Sequence, residues 1–141
     1  MVRHAVGYRA RAYVTFGPPI PLAGYDPDSR RDLVTLTHRV HDEIGRLYKV
    51  QATALVAAAM RPHTSRADLV ARVGDLVSML SAEGANLAVE TGRQAVEEGL
   101  ARLVARGVVV DGARVRDRDR VVLRYYARTI EHVLHRPRTT H

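Results

Sequence analysis

Val108-Val109-Val110-Asp111-Gly112-Ala113-Arg114-Val115 is the stretch that decides the fold of this chain. Asp-Gly between β-branched runs predicts a two-residue hairpin turn, because both central positions of that turn need positive φ. Three helical stretches precede it. Residues 52–60 are Ala-rich and apolar on nearly every side, which predicts a buried helix closed by Arg61-Pro62. Ser65-Arg66-Ala67-Asp68 opens the next helix with a serine cap and an acid three residues on. Leu69, Val73, Leu76, Val77 and Leu80 form its core stripe, and Gly84 ends it. Thr91 with Gln94 repeats the cap, followed by Val96, Leu100, Leu103 and Val104 and a stop at Gly107. Helix, helix, helix, hairpin is the order of a winged helix, here over residues 51–116.

Outside this unit the patterns change. Residues 9–16 alternate with period two: Ala10, Ala12, Val14 and Phe16 on one face, Arg9, Arg11, Tyr13 and Thr15 on the other. That predicts a half-buried strand, stopped by Gly17-Pro18-Pro19-Ile20-Pro21, whose prolines cannot donate to a ladder. Asp26-Pro27 reads as an N-cap with proline at the first helical position. Leu33, Leu36, Val40, Ile44 and Leu47 mark one stripe of the helix that follows, with Arg30, Arg31, Arg39, Asp42, Glu43 and Arg46 elsewhere on it. Beyond the hairpin, a last helix from about Asp119 carries Val122, Leu123, Tyr126, Ile130 and Val133, and the tail 135–141 is polar.

Composition bounds the function classes. The 141 residues suffice for one domain with a core. Hydrophobic residues at 46% and charged residues at 26% mark a globular chain rather than a disordered one. There is no cysteine, which removes disulfides and thiolate–metal sites and makes a reducing cytoplasm the expected setting. No run of about 18 apolar residues is present to span a bilayer. The net charge is +7, carried almost wholly by arginine, since Lys49 is the single lysine. A basic surface of this kind suits nucleic acid, anionic lipid headgroups or phosphorylated metabolites.

Each chemically suggestive group competes with a plainer role. His63 and Asp68 have the His-x4-Asp spacing that acyltransferases use for a base and its orienting carboxylate. Ser65 and Asp68, however, already serve as a helix cap. The Glu-Gly-x-Arg phosphate-binding turn of such enzymes has no counterpart, because Glu83-Gly84-Ala85-Asn86 lacks the arginine and follows too closely. His38 and His41 stand three apart on one helix without a third ligand on the same side, so solvated histidines are expected rather than a metal site. Gly17 and Gly24 sit in no phosphate-cradling pattern. Tyr125-Tyr126 reads as core on one side and rim on the other. In a winged helix, the helix of residues 91–106 would enter the major groove. It offers Arg93 and Gln94, but sets Glu97 and Glu98 beside them, where a DNA reader needs cations.

Three segments resemble, in order, the large bacterial glycerol-3-phosphate acyltransferases and their dihydroxyacetone-phosphate relatives. Tyr13-Val14-Thr15-Phe16-Gly17-Pro18-Pro19-Ile20-Pro21-Leu22 is similar to the strand and turn that follow the last catalytic-domain motif of those enzymes. Val50-Gln51-Ala52-Thr53-Ala54-Leu55-Val56-Ala57 is similar to a segment that opens their C-terminal helical region. Val122-Leu123-Arg124-Tyr125-Tyr126-Ala127-Arg128-Thr129-Ile130-Glu131-His132 resembles their Tyr-Tyr-x-Asn-x-x-x-His stretch, with Arg128 standing where that pattern has Asn. The resemblance implies acyl transfer from a thioester to the 1-hydroxyl of glycerol 3-phosphate for the family. It carries no catalytic residue onto this chain, because the family's His, Asp and Glu-Gly-x-Arg motifs all precede the first matched segment.

The expectation is therefore a mainly α (α+β) fold. A winged-helix-like helical domain at 28–141 follows a strand and Pro-rich connector at 1–27 left over from an α/β acyltransferase sheet. The expected function is the non-catalytic C-terminal portion of an acyltransferase of phospholipid biosynthesis, inactive alone, with no catalytic, cofactor-binding or metal residue. The alternative is a winged-helix nucleic-acid-binding protein. Expected partners are the N-terminal acyltransferase domain and an anionic membrane surface, with self-association through residues 9–16 as a further route. The expected location is the cytoplasm or the cytoplasmic face of the membrane.

Overall fold

A computed structural model describes residues 13–110, 114–115 and 119–134. Among these the element order is α1 (Arg30–Leu47), α2 (Ala52–Ala59), α3 (Arg66–Ala82), α4 (Gly92–Ala105), β1 (Val109–Val110), β2 (Arg114–Val115), α5 (Arg120–Arg128) and α6 (Glu131–Leu134). The chain is mainly helical, and α2, α3, α4 and the hairpin follow in the order expected.

The buried helix α2 is the hub. Seven of its eight residues are buried, and α3, α4 and α5 all pack against it. An apolar helix with no polar face is stable only when wrapped on every side. Leu55 and Val56 from α2 meet Leu69, Val73, Val96 and Leu103 in the core, with Val109 and Ile130 closing it from the hairpin and the C-terminal helices. Two glycines let the helices approach closely. A Cβ on Gly99 would lie 2.6 Å from Val56 Cγ2 and 2.7 Å from the Ala52 carbonyl oxygen, and one on Gly92 would lie 2.5 Å from the Gly74 backbone.

The caps form as read from the sequence. Ser65 Oγ accepts from Asp68 N at 3.1 Å, and Thr91 Oγ1 accepts from Gln94 N at 3.2 Å. Gly84 and Gly107 take φ of 72° and 68°. Each is followed by a residue whose N–H reaches back to an orphan helix carbonyl: Ala85 to Leu80 at 2.9 Å and Val108 to Leu103 at 2.9 Å.

Several expectations are corrected. Helix α1 starts at Arg30, not after Asp26, because Ser29 Oγ accepts from Asp32 N at 3.3 Å. The Asp26 carboxylate is spent on a turn, accepting from Asp28 N at 2.9 Å. The hairpin register pairs Val109 with Val115 and Val110 with Arg114, which leaves three residues between the strands instead of two. This register sets buried Val109 opposite an apolar partner, where the shorter loop would have set it opposite Arg114. Residues 111–113 themselves lie outside the described residues. The last helix is two helices, since Thr129 Oγ1 bonds back to the Tyr126 carbonyl at 2.7 Å and the chain turns there before α6. Val104 is 49% exposed rather than core.

The strand expected at 9–16 falls half outside the described residues. Residues 13–16 join no ladder among the described residues, and Val14 and Phe16, assigned to its buried face, are 76% and 90% exposed. The tail 135–141 also lies outside the described residues.

Candidate functional site

The enzymatic reading of the sequence centred on His63 and Asp68, and the structure does not bring them together as a base and its orienter. The Asp68 carboxylate accepts from Ser65 Oγ at 2.7 Å, which completes the cap of α3. His63 is exposed, sits at φ 58°, and makes no hydrogen bond or ion pair among the described residues. A side chain on a left-handed residue in solvent has nothing to fix its ring against a substrate. His41 is equally loose, approaching only Asp42, at 3.9 Å, with both side chains exposed. Among the described residues no group of three His, Cys, Asp or Glu stands close enough to hold a metal ion.

The would-be reading helix is engaged with itself. Gln94 Nε2 donates to Glu98 Oε1 at 3.0 Å, and Arg102 Nη2 lies 3.4 Å from Glu98 Oε2. Glu98 thus occupies two of the polar groups that α4 could have offered to DNA, and Glu97 stands exposed beside Arg93.

What the structure does present is an uncovered amphipathic helix. The stripe Leu33, Leu36, Val40, Ile44 and Leu47 is continuous at helical spacing, yet α1 has no buried residue. Ile44 is 64% exposed, and Leu33 and Val40 are exposed as well. Such a stripe normally faces a core. Val14, Phe16 and Leu22 in the preceding segment are also exposed, and residues 13–17 run beside the end of α1. Between them lies an open groove of about 430 Å³ lined by Tyr13, Thr15, Ile44, Leu47, Tyr48, Lys49 and Gln51. Lys49 Nζ sits 5.3 Å from the centre of the Tyr13 ring, a cation–π contact that holds the segment over the groove.

Although its stripe is uncovered, α1 is fastened at both ends. At its start Asp26 N donates to Asp32 Oδ2 at 3.1 Å, and Arg39 Nη1 donates to the Tyr25 hydroxyl at 3.2 Å. That bond, with the electrostatic pull of the same phenol, holds the Arg39 guanidinium above its ordinary pKa. At its end Asn86 Nδ2 donates to the Leu47 carbonyl at 3.1 Å, and the Tyr48 ring meets His132 edge-on at 5.2 Å. Val50 N donates to the Asn86 carbonyl at 2.8 Å and Ala88 N to the Val50 carbonyl at 2.9 Å, a parallel bridge that ties the α1–α2 connection to the α3–α4 connection. In the sequence Asn86 stands out only as the last residue of Glu83-Gly84-Ala85-Asn86, which lacks the arginine of a phosphate-binding turn. Its position two residues past a helix-ending glycine is the signal that could have marked it as a connector.

None of the helices, among the described residues, is long and apolar enough to cross a membrane. No curated protein and no solved structure matches the chain. The family model for the glycerol-3-phosphate acyltransferase C-terminal region does match, over residues 9–138. A helical core in which His63 and Asp68 stand apart, carrying one fastened but uncovered amphipathic helix, is thus matched over most of its length by this family model, and the chain belongs to the glycerol-3-phosphate acyltransferase C-terminal region family.

Proposed function

We propose that this chain is the non-catalytic C-terminal portion of a glycerol-3-phosphate 1-O-acyltransferase of phospholipid biosynthesis, and that it works by packing against an acyltransferase catalytic domain. The observation that carries the proposal is the exposed stripe of α1 beside the exposed apolar residues 14, 16 and 22. Together they form a surface that a catalytic domain would cover. Residues 1–27 are the end of that domain in this reading, and residues 28–141 the helical portion. Acyl transfer itself belongs to the catalytic domain in this reading, because among the described residues neither His63 nor any other histidine has an orienting partner of the kind a general base needs.

Charge and family also favour a setting at the cytoplasmic face of a membrane, held peripherally. The winged-helix alternative has the element order and the positive charge in its favour, but its reading helix spends Gln94 and Arg102 on Glu98. It is the weaker reading.

The test is to mix the purified chain with a glycerol-3-phosphate acyltransferase catalytic domain and measure binding by titration calorimetry. Binding that is lost in a Leu33→Glu/Ile44→Glu double variant supports the proposal. Acyl transfer by the chain alone that disappears in His63→Ala overturns it, and so does a tight, sequence-specific duplex-DNA complex at physiological salt.

A further inference from the structure

Helix α5 turns a second surface outward. Its inner face, Leu123, Tyr126 and Ala127, is half-buried, and the helix packs against α2. The outward side carries Arg120, Arg124 and Arg128 at four-residue intervals, all exposed, with Val121 and Tyr125 in the row beside them. Val121 is 75% exposed and Tyr125 is 67% exposed. Glu131 lies 3.4 Å from Arg128 Nε with both side chains in solvent, and half-buried Asp119 precedes the helix. Arg124 makes no hydrogen bond or ion pair among the described residues.

From this arrangement we infer that the outer face of α5 is the contact of this protein with an anionic phospholipid surface, its arginines on the headgroups and Val121 and Tyr125 entering the interface. The inference deepens the peripheral setting proposed above and rests on it. Three guanidinium groups in a row complement a layer of phosphates, each cation near such a surface adding an increment of attraction that salt screens. A phosphate row on nucleic acid would answer the same arginines. The difference lies in what stands beside them. An exposed aliphatic side chain standing beside a row of guanidinium groups gains nothing from a sugar–phosphate backbone, but it gains from leaving water at the headgroup boundary, where tyrosine also settles. Because the inner face of α5 is anchored on α2, the outward side is presented by an already folded helix.

Flotation of the full chain with vesicles tests the inference, using phosphatidylglycerol mixed with phosphatidylcholine, phosphatidylcholine alone, and a mixed-sequence DNA duplex as a competitor. Binding to the anionic vesicles only, falling with salt, is expected. It should drop about tenfold or more in Arg124→Glu/Arg128→Glu and several-fold in Val121→Ser/Tyr125→Ser, with circular dichroism unchanged in both. Vesicle binding that neither double variant alters overturns the assignment to α5 while leaving the peripheral setting standing. Binding to neither vesicle removes both. Equal binding to neutral vesicles, or capture by the duplex in place of the vesicles, overturns the inference in favour of a purely apolar contact or of nucleic acid. The α1 variants that test domain packing leave α5 untouched, so the two proposals fail separately.

Discussion

Gly92, the first residue of α4, lies against the backbone of Gly74 in the middle of α3, so closely that a Cβ on Gly92 would sit 2.5 Å from both Gly74 Cα and Gly74 N. Neither atom can swing aside, since both belong to a helix backbone. The close approach brings the start of α4 onto α3, and with it the capped turn at Thr91. The relationship is one-sided, because a Cβ on Gly74 would meet nothing within 4 Å.

Gly92→Ala should therefore destabilise the domain by about 2 kcal/mol, in the range for overpacking a rigid contact. Gly74→Ala should be neutral or stabilise by up to about 1 kcal/mol, because alanine favours a helix interior. Urea unfolding of both variants checks the pair. Equal effects would mean that the helices lie further apart than described.

Asn86 joins two parts of the chain 39 residues apart through its 3.1 Å bond to the Leu47 carbonyl. Asn86→Ala should cost about 1 kcal/mol, the usual net worth of a hydrogen bond. The loss should be concentrated in α1. Hydrogen exchange should show faster opening of residues 30–47 while α2 and α4 keep their protection. Uniform loss of protection would show that α1 and the core unfold as one unit.

His63 holds a left-handed conformation, φ 58°, that costs a non-glycine residue of the order of 1 kcal/mol. His63→Gly should leave stability unchanged or raise it slightly by thermal unfolding, since relief of that strain opposes the added entropy of the unfolded chain. The same variant should leave binding to a catalytic domain as it was. A clear loss of stability would reveal a contact made by the ring.

Because 13–22 is largely exposed and α1 has no buried residue, deletion of residues 1–21 should leave a cooperative fold, with a loss of about 1 kcal/mol or less. By contrast Leu55→Ala, at a fully buried position, should cost about 3 kcal/mol through the cavity it leaves. Chemical denaturation of the two variants separates them. A deletion that unfolds the helices would make the first segment integral to the domain.

The sequence by itself determined whatever is settled within one turn of chain. Ser65 and Thr91 cap the helices expected of them, because hydroxyl and backbone amide lie three residues apart whatever the rest of the molecule does. Gly84 and Gly107 end those helices because positive φ is cheap only for glycine. The all-round apolar α2 announced its burial, and the amphipathic stripe of α1 was equally plain. Whether that stripe would be covered was decided by tertiary structure alone: periodicity says that a face seeks a partner, not that one is within reach, and here Leu33, Val40 and Ile44 stay in solvent. Tertiary packing also set the hairpin register, where burial of Val109 outweighed the local preference of Asp-Gly for a two-residue turn. The same holds for the Asn86 link, the bridge of Val50 to Leu87 and the seat of Gly92 on α3, since each depends on segments brought together from distant parts of the chain.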